Sequence, residues 1–246
     1  MSRYKIVIQY DGTNFSGFQC QKNQSGIQDN IESSISKLNN DKKIKIYGAS
    51  RTDAGVHALG QVAHFDLDSK FSENELLKAV NARLSKEIRI SHLTKVNENF
   101  HSRFDATSKE YHYLCSLTDN PLHLRDHFQV KNLDFDLLLE VSKIIEGKYD
   151  FLSFSKFSNK KNNFCRIFKS KWAFDDKKDE KLSYIIHGDR FLHHMVRYLV
   201  GTMIAVSQKK ISINDFKNLL NNPKKDAKIF KAPSKGLVLK EVFYEN

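Results

Sequence analysis

The 246 residues allow one large domain or two small ones, and 40% apolar against 28% charged residues excludes global disorder. Forty Lys+Arg against 29 Asp+Glu leave a net charge of +11, which favours an anionic partner, nucleic acid first. Most of these cations are lysines, a skew that genome composition alone can produce, so the nine arginines carry more information. Asp11 interrupts the first segment before any long apolar run, unlike a secretory leader. The apolar-rich stretch from Phe191 to Val206 is short for a membrane span and carries His193, His194 and Arg197. Cys20, Cys115 and Cys165 are odd in number and widely spaced, so they read as inert thiols of a cytoplasmic protein rather than a disulfide framework or a metal motif.

In chain order, Arg3–Tyr10 alternates and is rich in strand formers, and Asp11-Gly12-Thr13-Asn14 then signals a turn. Ile27, Ile31, Ile35 and Leu38 repeat at helical spacing. Ile44–Tyr47 reads as a short strand, Gly48–Gly60 as a loop and Gln61–Leu67 as a strand with Ala63, Phe65 and Leu67 on one face. Ser72 and Glu75 form a capping box for a helix through Leu76, Leu77, Val80 and Leu84, and Glu87–Leu93 is a strand. Tyr111–Leu117 is a further strand and Thr118–Asn132 is irregular. A helix over Leu133–Glu146 turns Leu137, Leu138, Val141, Ile144 and Ile145 inward, with Gly147 as its C-cap.

Lys156–Asn163 is a basic loop. Phe164–Phe174 and Lys181–His187 are strands joined by the charged turn Asp175–Glu180. Phe191–Val206 is a buried helix, Ser212 caps a short one to Leu220, and Gly236–Tyr244 is the last strand. Helices and strands interleave without a regular βα period, which predicts an α+β fold with mainly antiparallel pairing. The expected division is an N-terminal half, 1–104, carrying the Asp53 loop, and a C-terminal half, 105–246.

Three constellations carry chemistry. The loop Gly48–Ala58 mixes small residues with Arg51, Asp53 and His57. Small residues admit a ligand or another backbone, and Asp53 is a nucleophile, a base or a turn former. The loop lacks the Lys-Ser/Thr ending of a phosphate-cradling loop. In the second, His193, His194, Arg197 and Gly201 share one stripe of an otherwise apolar helix. A guanidinium there needs a carboxylate partner, or else snorkels to water. In the third, Tyr111 opens a strand just after Phe100–Asp105 and Lys109, an aromatic among cations that suits an unpaired base or simply fills a core. The histidine spacings make no metal site: His57 and His64 are seven apart, and two adjacent histidines on a helix cannot face one ion.

These residues carry a resemblance. Tyr10–Gln19, Ser50–Ala58 with its Arg51-Thr52-Asp53-Ala54-Gly55-Val56-His57 run, Phe100–Ala106 with Glu110–Tyr113, Cys165–Ile167, Phe191–Arg197 with Val200–Thr202, and Ala232-Pro233 with Gly236-Leu237 follow from end to end the pattern of the tRNA pseudouridine synthase A (TruA) family. Val238 departs from that pattern, standing where an aromatic is usual, and Tyr198 stands where Asn is common. The resemblance implies a pseudouridine synthase fold: two related α+β halves with mainly antiparallel sheets flanked by helices, around a central cleft. It implies isomerisation of uridine to pseudouridine in the anticodon stem-loop of tRNA, at positions 38–40, by a cytoplasmic homodimer using no metal and no organic cofactor. Asp53 then matches the essential carboxylate, Arg197 its ion-pair partner, Tyr111 the ring against the target base, and Arg51 the side chain that helps extrude the nucleotide. A non-catalytic tRNA-binding or tRNA-folding protein on the same fold is the alternative.

Overall fold

The alternation of the first segment becomes β1 (Ser2–Tyr10), whose Tyr4, Ile6, Ile8 and Tyr10 are buried. The computed structural model describes residues 1–19, 25–156, 162–176, 181–225, 227 and 229–245. Cys20, residues 157–161 of the expected basic loop and residues 177–180 of the charged turn lie outside the described residues. The chain forms two compact units, Met1–Thr107 with Leu239–Asn246, and Ser108–Val238. The end of the chain, from Leu239 on, thus belongs to the same unit as its beginning.

In the first unit β1 is antiparallel to both β3 (His57–Leu67) and β4 (Ile88–Val96). A two-residue β2 (Tyr47–Gly48) pairs with β3 at His64 and Ala63. The helices are α1 (Ile27–Leu38) and α2 (Glu73–Asn81), and the latter opens with the expected capping box, Ser72 with Glu75. The α2 helix stops before Leu84, at Asn81, whose side chain instead bonds both the N–H and the C=O of Ile90.

Two strand boundaries differ from the sequence reading, each for a local reason. Residues 44–46 are not strand, because their amides go to α1 side chains: Ile44 N–H donates to Ser36 Oγ (2.9 Å) and Ile46 N–H to Glu32 Oε1 (2.9 Å). β3 begins at His57 rather than Gln61, because Tyr10 at the end of β1 offers Ala58 a pairing partner beyond a bulge.

β3 is buried on both faces. One face packs in the core, where Phe65 stacks on Tyr4 at 5.5 Å. On the other lies His64, packed against Tyr47, Phe100 and His101. The Phe100–Asp105 segment is tied down over it: Arg3 holds Asp66 through two bonds (2.7 and 2.8 Å) and donates to Phe100 O, while Tyr244 OH donates to Ser102 O. Both the N–H (3.2 Å) and the Oγ (3.0 Å) of Ser102 lie within hydrogen-bond distance of His64 Nδ1.

In the second unit, β5 (Ala106–Ser116), β9 (Lys181–Gly188), β8 (Phe164–Asp176) and β7 (Gly147–Asp150) pair antiparallel in that order. A short β6 (Phe128–Gln129) adds to β5 in parallel, inside the stretch read as irregular. The helix α3 spans Phe135–Lys143, capped by Asp134, and Gly147 opens β7 rather than closing the helix. α4 (Met195–Ser207) is buried on nearly all sides, as its apolar composition requires, and α5 (Ile213–Asn221) follows its Ser212 capping box.

Burial holds His64 well below the usual imidazole range, at about 4. A depressed histidine is neutral when folded and takes up its proton on unfolding, so its contribution to stability is full above pH 6.5 and is lost as the pH falls towards 4. We expect urea denaturation to show roughly 2–3 kcal/mol less stability at pH 4 than at pH 7 from this group, and His64→Gln to flatten that part of the profile. An unchanged slope in that variant excludes His64 as the source.

Candidate active site

The loop from Ala49 to Val56 joins β2 to β3 and is fixed on both sides of Asp53. Ala49 N–H donates to Val62 O (2.8 Å), and the Gln61 amide brackets Ser50, accepting from its N–H (3.2 Å) and donating to its C=O (2.8 Å). Thr52 is held twice, with Oγ1 at 2.7 Å from Tyr10 OH and its carbonyl accepting from Phe18 N–H (3.1 Å). Asp53 C=O closes the turn by accepting from Val56 N–H (3.2 Å). The Asp53 side chain is half-buried, and Arg51, two residues earlier, is exposed. Each such bond contributes about 1 kcal/mol net, so together they hold the backbone of Asp53 to one conformation.

The segment following β1 makes this lock possible. Gly12 N–H donates to His57 Nδ1 (3.1 Å), and a side chain at Gly12 would overlap the Val56 carbonyl. Gly17 has φ +111, and a Cβ there would come within 2.8 Å of Thr52 O. The sequence of Asp11–Asn14 by itself predicts only a turn. That this turn packs on the Asp53 loop rests on contacts between segments some forty residues apart, which no local pattern encodes.

The other two expected residues lie in the second unit. Tyr111, on β5, is buried and meets Phe191 edge to face at 5.1 Å. Arg197 is half-buried in the first turn of α4, rather than deep in the core. Its Nε donates to Ala232 O (2.9 Å), while Ala232 N–H donates back to Arg197 O (3.0 Å). This reciprocal pair sets the plane of the guanidinium. Gly201 does leave room one turn on, but that room is taken by the 230–232 strap: a Cβ would stand 2.5 Å from Phe230 O.

The stripe of His193, His194 and Arg197 is corrected by the structure. The α4 helix begins only at Met195, because His194 is left-handed (φ 64) and cannot continue it. His193 is held outside the helix, its carbonyl accepting from Lys156 N–H (3.0 Å). Arg197 therefore sits where the helix dipole is positive and where no acidic residue of the first turn offsets it. A cation there is disfavoured by about 0.3–1 kcal/mol, and an anion facing that end is favoured.

A family model described as tRNA pseudouridine synthase matches residues 6–105 and 141–245. A tRNA pseudouridine synthase A from Phytoplasma mali is 42% identical, covering 98% of each chain. One from Azobacteroides pseudotrichonymphae is 38% identical over 100% of this chain and 98% of its own. One from Streptococcus mutans is 35% identical over the whole of both. Among solved structures, the one titled "Crystal Structure of a Cbf5-Nop10-Gar1 Complex" matches with a TM-score of 0.39 and 10% identity, over 97% of this chain and 59% of that one. The family model and these relatives make the chain an RNA-modifying isomerase. The chain is a member of the tRNA pseudouridine synthase family, whose reaction converts uridine to pseudouridine in tRNA. No helix among the described residues is long and apolar enough to cross a membrane.

Because a methyl group at position 12 has no space, Gly12→Ala should cost about 1–3 kcal/mol and displace the Asp53 loop. Thermal melting reads the first effect and pseudouridine formation at saturating tRNA the second. A variant as stable and active as the parent shows that the close approach of Gly12 to Val56 does not hold the loop.

Proposed function

We propose that this chain acts in the cytoplasm as a homodimer and modifies uridines 38–40 in the anticodon stem-loop of tRNA, with Asp53 as the essential carboxylate. The observation that carries this reading is the lock on the Asp53 loop. An acid held by bonds on either side, at the end of an Arg51-Thr52-Asp53 run, is built to deliver its carboxylate to one point. The net charge of +11 supports a polyanionic substrate.

The reaction cleaves the N1–C1′ bond, turns the uracil and rejoins C1′ to C5; C5 gives up a proton and N1 gains one, so the product is an isomer. Asp53, ionised, either attacks C1′ or removes the 2′ proton, and both routes need its carboxylate aimed and charged. Arg197 is the proposed partner that keeps it so: a guanidinium opposes the upward pKa shift that desolvation would impose, and its plane, set through Nε by Ala232, fixes the carboxylate's direction. Tyr111 offers the freed uracil a ring that Phe191 braces, and a hydroxyl able to take the C5 proton. Arg51, exposed on the same loop as Asp53, occupies the stack that the extruded nucleotide leaves, offsetting part of an unstacking cost of a few kcal/mol.

Asp53→Asn should leave the fold and tRNA affinity intact and abolish pseudouridine in tRNA transcripts, read by product mapping. Residual turnover within tenfold of the parent removes Asp53 from its role. Modification mapped outside positions 38–40 would refute the choice of substrate segment while leaving the chemistry standing. Affinity for tRNA should also fall steeply with salt, with a log–log slope of about −3 or beyond if four or more phosphates are neutralised. A flat response contradicts electrostatic capture.

A further inference from the structure

On the side away from the helices, the β7–β8 edge of the second unit's sheet is exposed. Cys165, Ile167, Ser170 and Trp172 of β8 are buried, and Ser170 Oγ donates to Ser142 O of α3 (2.6 Å), so this is the helix side. The intervening side chains Phe164, Arg166 and Phe168 point the other way and are exposed, each phenylalanine to 49%. A register shift between Ile167 and Lys169 sets both Phe168 and Lys169 against His187 of β9, whose ring lies 5.3 Å from that of Phe168. On β7, Lys148 stands directly opposite Arg166 and holds its ammonium 6.0 Å from the Phe164 ring. Lys171, also exposed, continues the row.

This arrangement is costly for a surface that faces only water. Like charges directly opposite on a sheet repel, and two half-exposed aromatic rings lose apolar burial. Three acids lie nearby, each with other partners: Glu110 accepts from His112 Nε2 (2.8 Å) and lies 3.7 Å from Lys169 Nζ, Asp150, opposite Phe164, accepts from Leu152 N–H (2.8 Å), and Asp189 accepts from the backbone N–H groups of Arg166 (2.8 Å) and Arg190 (2.6 Å). Among the described residues no acid forms an ion pair with Lys148, Arg166 or Lys171.

We propose that this open face, centred on Phe164, Arg166, Phe168 and Lys148, is an RNA-contacting platform that stacks unpaired or distorted bases of the tRNA and pairs with the phosphates beside them. It rests on the tRNA reading above and adds residues that reading does not use. The two rings lie four residues apart on one strand, about 13 Å, with cations between and beside them. That combination fits an anionic strand with flat faces, the way open antiparallel sheets present aromatics to single-stranded RNA. A second copy of the chain fits less well, since a two-fold contact here would set this row of cations against itself.

Three double variants test the platform. Phe164→Thr with Phe168→Thr keeps strand-forming side chains and removes the rings. Lys148→Gln with Arg166→Gln removes two charges and keeps the rings. Lys143→Gln with Lys217→Gln removes two exposed charges from α3 and α5 of the same unit. Filter binding of a tRNA transcript over a salt series, with sedimentation of each protein, gives the readout. The aromatic pair should weaken binding at least tenfold at fixed salt. The charge pair should flatten the log–log slope by roughly 1.4–1.8, and the helix pair should change affinity less than twofold. Wild-type affinity in the first two variants overturns the platform, as does an equal loss in the helix pair, which would reduce the effect to net charge. Loss of self-association in the first two makes the face an interface between copies instead. If the parent protein binds no tRNA at all, the tRNA reading itself has failed, a result distinct from each of these.

Discussion

The chemistry proposed for Asp53 depends on a backbone held in place by its neighbours. An aspartate has two side-chain torsions, and the position of its carboxylate is no better defined than the peptide that carries it. Here the peptides before and after Asp53 are tied to Val62, Gln61, Tyr10, Phe18 and Val56. The anchors come from β1, from the segment after it and from β3, so the loop takes its rigidity from the sheet beneath it. The sheet in turn is held by full burial of Tyr4, Ile6 and Ile8, each contributing about 2 kcal/mol. A helical site would have drawn its rigidity from its own hydrogen bonds, whereas a loop site must borrow it, and close-approaching glycines at 12 and 17 are what allow the borrowing.

Arg197 is placed by the opposite device. It sits on a regular helix, yet the decisive contacts are with an irregular strap, Ala232 reaching across α4 through both its N–H and its C=O. Using Nε for this bond commits one edge of the guanidinium to the protein and leaves its direction settled. Lysine, with no planar fork, could not be held this way. The first turn of α4 carries no acidic residue, so the positive end of the helix dipole is not offset within its own turn.

Much of this was legible in the sequence where periodicity or capping speaks locally. The Ser72–Glu75 and Ser212 boxes, the isoleucine spacing of α1 and the alternation of β1 all correspond to observed elements. What failed was set by distant partners. Nothing near Ile44 says that its amide will be taken by Ser36, nor that Ala58 will find Tyr10. The apolar-rich run from Phe191 suggests a longer helix because hydropathy does not register a left-handed residue, and His194 supplies one. For the site, the residue types were readable from the loop composition, and the assignment of roles came from the family pattern. The anchors Gln61, Phe18 and Ala232 have no local signature at all.

The two faces of the second unit's sheet divide the labour of stability and recognition. The helix side carries Tyr113, Tyr184, Ile186 and Trp172, all buried, and burial pushes the Tyr113 and Tyr184 phenols well above their ordinary range. These hydroxyls are retained as neutral donors and acceptors, Tyr113 to Pro233 O and Tyr184 with Ser170 Oγ. The open side gives up that kind of stabilisation, keeping like charges opposite one another and rings in water. Natural surfaces bear such costs where a ligand offsets them. A strand alternating between the two sides changes surroundings at every step, and Phe164-Cys165-Arg166-Ile167-Phe168 runs exposed, buried, exposed, buried, exposed: its buried positions are chosen by packing and its exposed ones by what the face has to meet.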